Sequence, residues 1–229
     1  MAVDYEILLH GNNLRTRHGF LGLANATLIH GEDGPILFDT GGYISRHELL
    51  KALADRGLQP DDVKMVFLSH LHFDHCHNID LFPKSKVLVS KSEWDYAKEP
   101  HEKDLFMPWG LHAQLEEHDL ELIDGDGAIT ASVGFFPAPG HTPGCYAMTM
   151  ETSDKGKVVI AGDSIKYAKE VVNCRCDMAF DTVERGTQSI RKILDMADRI
   201  VPGHFPELIH TEDDAFTWED GVEFPLIIR

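Results

Sequence analysis

Four side chains able to hold a metal ion fall within six positions, His70-Leu71-His72-Phe73-Asp74-His75. Imidazole nitrogen and carboxylate oxygen without thiolate are donors for zinc, iron or manganese. Burying such groups without partners costs roughly 2 to 7 kcal/mol each, so a shared cation is the natural compensation. If the backbone here stays extended, the two-residue period puts His70, His72 and Asp74 on one face and turns His75 toward a second position. The chain holds 14 histidines. Those outside the candidate site, among them His10, His18, His30, His47 and His118, read as scattered surface or core residues.

The cluster follows an apolar run over 64–69 that reads as a buried strand. The same design recurs along the chain, a β-type run ending at glycine or proline with a potential ligand or orienting acid in the turn. Residues 35–38 lead to Asp39-Thr40-Gly41-Gly42, and 131–136 lead to the Pro-rich turn that contains His141. Residues 158–161 lead to Gly162-Asp163-Ser164, and 199–201 to Pro202-Gly203-His204. In open α/β architectures ligands gather beyond the carboxyl ends of strands, so these endings predict one shared site. Amphipathic stripes predict surface helices over 46–56 and 182–197, with a shorter helix over 91–97 after a strand at 86–90. Residues 99–117 read as a loop or irregular helix lining a substrate entrance. Hairpin turns are expected at Asp124-Gly125-Asp126-Gly127 and Ser153-Asp154-Lys155-Gly156.

The 38 acidic against 21 basic residues leave a net charge of -17. That charge repels phosphate backbones and anionic membranes, which favours a small-molecule substrate over nucleic acid or membrane partners. With no basic leader and no apolar run approaching the ~20 residues of a membrane span, a cytoplasmic protein is expected. A homodimer is compatible with the composition. At 229 residues the chain fits one domain over 1–229. Cys76, Cys145, Cys174 and Cys176 are too few and too unevenly spaced for a disulfide framework or a four-thiolate zinc site, and Cys174-Arg175-Cys176 lacks the spacer of common redox motifs.

Taken together, His70, His72 and His141 could complete one three-nitrogen metal position, and Asp74, His75 and His204 a second, with Asp163 between them. Three protein ligands per ion leave open positions, which means catalysis rather than structure. The ordered set His70-x-His72-x-Asp74-His75, Pro139-Gly140-His141, Gly162-Asp163 and Gly203-His204, with the Asp39-Thr40-Gly41 turn, resembles the metallo-β-lactamase superfamily. The resemblance implies an α/β fold of the αββα sandwich type, two mixed β-sheets packed face to face with outer helices. It also implies two divalent metal ions, zinc first with iron or manganese as alternatives, and an orienting role for Asp39 behind the ligands. Asp74 is both a ligand and the candidate catalytic residue.

Departures from the family pattern narrow the activity. Asp163 stands where β-lactamases of this fold usually carry Cys or Ser, which disfavours antibiotic hydrolysis. Phe73 replaces the Glu of flavodiiron members, and neither the helical domain of glyoxalase II nor the arms of nucleases is visible. The remaining resemblance is to acyl-homoserine lactone lactonases and esterase-like hydrolases. It implies a dinuclear hydrolase that cleaves an ester, lactone or thioester with a hydroxide shared by the metals. Phosphodiesterase or nuclease chemistry and a mono-iron sulfur dioxygenase-like reaction are the alternatives, and a noncatalytic metal-binding module comes last. Lactonases place a Tyr shortly after the bridging Asp; here Lys166 holds that place and Tyr167 follows it. His77 stands where Gly is common. Trp94, Phe106, Trp109 and Phe136 are candidate pocket walls.

Overall fold

A computed structural model describes residues 3–219; the two ends of the expected 1–229 domain lie outside the described residues. The first half runs β1 (Asp4–Leu9), a short pair β2 (Arg15–Thr16) and β3 (Gly19–Phe20), β4 (Ala26–Gly31), β5 (Gly34–Phe38) and α1 (Arg46–Ala54). It continues through β6 (Met65–Phe67), α2 (Phe73–Cys76), β7 (Lys86–Ser90), α3 (Lys91–Tyr96), α4 (Leu111–Leu115) and β8 (Asp119–Ile123). The second half holds β9 (Gly127–Ala128), β10 (Val133–Pro137), β11 (Tyr146–Glu151), β12 (Lys157–Gly162) and α5 (Ala168–Asn173). It closes with α6 (Val183–Leu194), β13 (Arg199–Pro202), β14 (Leu208–His210) and β15 (Phe216–Trp218).

Two mixed sheets result, ordered β1-β4-β5-β6-β7-β8 and β15-β14-β13-β12-β11-β10-β9. The pairs β5–β6, β6–β7, β7–β8 and β12–β13 are parallel, while the remaining pairs in these two sheets are antiparallel. The apolar runs read from sequence are continuous because both faces of these strands are covered. On β6, Phe67 points between the sheets and Val66 points out toward the helices; on β12, Val158 and Ile160 point in and Val159 and Ala161 point out. Three apolar layers follow. One lies between the sheets. The second packs Leu49, Leu53, Trp94, Leu111 and Leu115 of the helices onto the first sheet. The third packs Ile190 and Ile193 of α6 onto the second sheet. This is the αββα sandwich.

Local chemistry sets the helix starts. Ser90 accepts a hydrogen bond from the Glu93 N–H at the head of α3, and Thr182 accepts one from Arg185 N–H at the head of α6. Such caps satisfy donors that the helix itself cannot. Helix α6 stops at Leu194, short of the expected 197.

Two expectations are corrected. Residues 70–75 do not remain extended, because His75 N–H and Cys76 N–H donate to the His72 carbonyl and close a turn of helix. The strict two-residue alternation therefore ends at His72, and Asp74 and His75 reach the site from α2. The Asp124-Gly125-Asp126-Gly127 segment is not a hairpin: β8 pairs with β7 and β9 with β10, so it carries the chain from one sheet to the other. Residues 99–117 are, as expected, irregular, with the one short helix α4, whose Leu111 and Leu115 are buried. The turn at 153–156 does join the antiparallel strands β11 and β12. Among the described residues, no helix is long and apolar enough to cross a membrane.

Phe67 stacks on Phe38 at 5.5 Å and contacts the rings of Phe135 and Tyr146 across the sheet interface. Phe67→Ala is expected to destabilise the fold by about 3 to 5 kcal/mol, as a large core truncation that leaves a cavity does. Urea unfolding followed by circular dichroism measures it, and a midpoint unchanged from wild type would contradict this packing.

Candidate metal centre

All seven residues expected at the site converge beyond the strand ends. His70 follows β6, Asp74 and His75 lie in α2, His141 sits in the turn between β10 and β11, Asp163 follows β12 and His204 follows β13. Each is at least nine-tenths buried. One potential ligand atom each from His70, His72 and His141 lies within 4.8 Å of the others, and the same holds for Asp74, His75 and His204 and for His70, His75 and Asp163. The two oxygens of Asp163 face different groups. Oδ1 is 3.2 Å from His75 Nε2 and 3.3 Å from His204 Nε2, whereas Oδ2 is 3.2 Å from His141 Nε2. Asp74 Oδ2 is 3.4 Å from His204 Nε2, and His141 Nε2 is 3.0 Å from His72 Nδ1.

Every imidazole turns its other nitrogen away from this centre onto a partner in the surrounding protein. His141 Nδ1 donates to the Met178 carbonyl at 3.1 Å and His204 Nδ1 to the Leu23 carbonyl at 2.8 Å. His75 Nδ1 donates to Asp39 Oδ2 at 2.7 Å. Ser69 Oγ spends its proton on the same carboxylate, 2.8 Å away, and so accepts from His70 Nδ1 at 3.0 Å. His72 is reversed: its Nε2 bonds Asp104 Oδ2 at 2.9 Å and its Nδ1 faces inward. A carbonyl or carboxylate accepts only, so these partners fix the proton outside and leave a lone pair pointing in.

That arrangement fits metal ions. His70 Nε2, His75 Nε2 and Asp163 Oδ1 are buried and have no hydrogen-bond partner. Leaving such atoms unsatisfied costs about 1 to 3 kcal/mol each. Burial pushes the His70 and His141 imidazoles well below the usual histidine range, toward the neutral form a ligand needs. Burial opposes the charge on Asp163, but His204, His75 and His141 outweigh it and hold the carboxyl well below the usual range. His75 and His204 are driven upward, since Asp163 and its neighbouring carboxylates overcome the burial of both imidazoles. The field therefore favours positive charge at this position, proton and metal ion alike. Asp39, fully buried, is pushed up by that burial. Its φ of 60° is a left-handed conformation rare outside glycine.

A cavity of about 330 Å³ opens onto the centre, and its lining includes Phe20, Phe106, Lys166, Tyr167 and Met178. Of the four aromatic residues expected as walls, only Phe106 lines it. Trp94 and Phe136 are buried in apolar layers, and Trp109 is fully exposed. Lys166 Nζ is buried and donates to Glu170 at 2.8 Å, and the Tyr167 hydroxyl donates to Asp177. His77 packs against the Tyr43 ring, centroids 4.2 Å apart, away from the ligand group. Cys176 lies buried against Gly186 of α6, and Cys174 adopts a left-handed conformation after α5. Sequence reasoning missed Asp104, Phe180 and Glu93. Asp104 and Phe180 lie in irregular segments that give no periodic signal. Glu93 accepts from Leu71 N–H, Thr142 Oγ1 and Gly144 N–H, fastening the His141 turn to the cluster that follows β6.

A family model for the metallo-β-lactamase superfamily matches residues 19–204, and the chain belongs to that superfamily. It is 34% identical over 187 residues to metallo-β-lactamase domain-containing protein 1 of Rattus norvegicus, covering 80% of this chain and 66% of that protein. The chain thus spans slightly less than two thirds of the rat protein, and 59% of the mouse one. It is 26% identical over 200 residues to an N-acyl homoserine lactonase of Bacillus thuringiensis, covering 76% of each. The solved structure of AidC, a dizinc quorum-quenching lactonase, shares the fold with a TM-score of 0.68 at 23% identity, over 98% of this chain and 93% of that one.

Asp104 also accepts from Tyr96 Oη at 2.7 Å and from Phe106 N–H at 3.0 Å, which locks the carboxylate behind His72. Asp104→Asn is expected to weaken zinc binding roughly 10 to 100-fold, the usual effect of losing a partner behind a ligand. Competition against a chromogenic chelator measures it; unchanged affinity would show that Asp104 does not act through His72.

Proposed function

We propose that this chain is a dinuclear metal-dependent hydrolase of small carboxylic esters, lactones or thioesters, acting as a single domain. The observation that carries the reading is Asp163, whose two oxygens face separate histidine groups. His70, His72 and His141 would hold one ion, Asp74, His75 and His204 the other, with Asp163 shared. Zinc is the favoured metal, given a donor set without thiolate and a fold neighbour described as dizinc. When bound, two such ions supply a water-derived nucleophile near neutral pH and Lewis acidity toward a carbonyl oxygen.

The chain's own residues do the rest. The outward hydrogen bonds of the five imidazoles fix their orientation before substrate arrives, so little reorganisation accompanies the reaction. Phe106 and Phe180 lie 5.5 and 5.6 Å from the His72 ring and Phe20 lies 6.0 Å from that of His204, which shields the centre from bulk water. Asp74 lines the cavity. It is our candidate for taking the proton from the attacking water at a carboxylate oxygen and passing it to the leaving group. A cysteine nucleophile is unnecessary and disfavoured: burial pushes the Cys76 and Cys145 thiols well above their usual range. The lactonase relatives support lactones within the substrate class. The four free cysteines suit a reducing cytoplasm.

Protein loaded with zinc is expected to hold two ions per chain and to turn over members of an ester, lactone and thioester panel. Chelation should abolish that activity and zinc should restore it. His72→Ala should remain folded by circular dichroism and lose at least about a hundredfold in kcat/KM. Two bound metals with turnover of bis-nitrophenyl phosphate alone would overturn the ester reading in favour of a phosphodiesterase, and one iron per chain would overturn the dinuclear site.

A further inference from the structure

The cavity wall contributed by the β2–β3 hairpin is cationic in a strongly acidic protein. The hairpin and its turn carry Arg15 and Arg17, and positions 7 to 31 contain no Asp or Glu; of the two guanidinium groups, that of Arg15 lines the cavity. Arg15, Thr16, Gly19 and Phe20 line the same cavity as His72, Asp74, His141, Asp163 and His204. The Arg15 guanidinium lies 5.6 Å from the Phe20 ring centroid, and that ring meets His204 edge-on at 6.0 Å. These two contacts put the guanidinium at most about 12 Å from the His204 ring, the length of three to four extended residues.

The other cation on the wall is committed. Lys166 donates to Glu170, a carboxylate that also accepts the Lys166 and Asp177 N–H groups. The Tyr167 hydroxyl is likewise spent on Asp177. Among the described residues, no carboxylate within ion-pair distance answers Arg15. Its planar fork of donors matches a carboxylate bidentately, and its aromatic neighbour keeps water from one face of the pair. At a net charge of -17 the protein gives anions no long-range attraction. A carboxylate-free cationic strap at the mouth is thus a local means of admitting them.

We propose that the site takes substrates carrying a carboxylate several bonds from the scissile carbonyl, and that Arg15 binds that carboxylate. The inference rests on the hydrolase reading for its reaction and on the hairpin for its selectivity. A neutral acyl-homoserine lactone would leave Arg15 without a partner, so the proposal separates this chain from its lactonase relatives by substrate charge.

The test compares mono-(4-nitrophenyl) glutarate with 4-nitrophenyl pentanoate on the zinc-loaded full chain, and follows glutarate binding by calorimetry. Wild type is expected to prefer the anionic ester by roughly 10 to 100-fold in kcat/KM. Arg15→Ala should collapse that ratio toward one, chiefly through KM for the anionic ester. Arg15→Lys should keep part of the ratio and Arg15→Glu should invert it. Glutarate should bind wild type and lose at least about tenfold in affinity to Arg15→Ala. An anionic-to-neutral ratio identical in wild type and Arg15→Ala, or equal glutarate affinity, would overturn the proposal. Should neither ester be cleaved, the hydrolase reading fails for esters, and the glutarate titration alone still decides whether Arg15 recognises the carboxylate.

Discussion

The structure depends on compensating charge where two sheets end together. Five imidazoles and the carboxylates Asp39, Asp74 and Asp163 are buried in one volume, and His70 Nε2, His75 Nε2 and Asp163 Oδ1 among them have no hydrogen-bond partner. A protein interior tolerates such a group only when it is paired with charge of the opposite sign. Asp163 is the pivot, because its burial alone would favour the neutral acid and the surrounding imidazoles hold it ionised. The outward partners then have one task, which is to stop the rings from rotating and satisfying themselves elsewhere.

Close packing at the strand ends keeps these groups together. A Cβ added at Gly203 would sit 2.0 Å from Asp163 Oδ1, so the residue before His204 must be glycine for the β13 ending to approach the β12 ending. Gly140, before His141, has a φ of 143° and lies so near Gly186 of α6 that an added Cβ would come within 2.1 Å of its Cα. The glycines next to two of the candidate ligands thus bring separate turns within van der Waals contact. Ser69 N–H and Oγ on Asp39, and Leu71 N–H on Glu93, add hydrogen bonds that tie the end of β6 to β5 and to α3. The positions of the candidate ligands are set by the scaffold rather than by each other.

How much of this was readable depends on the range of each interaction. Strands β5, β6, β7, β10, β12 and β13 declared themselves because strands covered on both faces leave continuous apolar runs, and each ended within two residues of its expected limit. The seven clustered side chains were readable because they lie at those endings. What failed was local backbone detail. The turn of helix at Phe73 has no cap or periodic pattern of its own and forms because His75 N–H and Cys76 N–H find the His72 carbonyl. The cavity wall failed for a different reason: whether Phe106, Phe136 or Trp109 faces the site depends on contacts between segments far apart in sequence. Asp104, behind His72 by a separation of 32 residues, belongs to the same class.

Lys166 is held by its neighbours in the frame of the site rather than left free on the cavity wall. A buried ammonium close to Asp163 would be costly alone, and here burial is overcome by Glu170 and Asp163 together, which raise its pKa. Glu170 is itself fully buried and accepts the Lys166 N–H, Lys166 Nζ and the Asp177 N–H. The pair therefore closes a loop from the residues just after Asp163, through α5, to the segment that brings Met178 and its carbonyl against His141. Removing one member of such a buried pair leaves an uncompensated charge, a loss of about 3 to 5 kcal/mol in comparable cases. That makes the ammonium part of the frame around the shared carboxylate. It also leaves the exposed hairpin, rather than the floor of the cavity, as the place where this chain can vary what it binds without disturbing the centre.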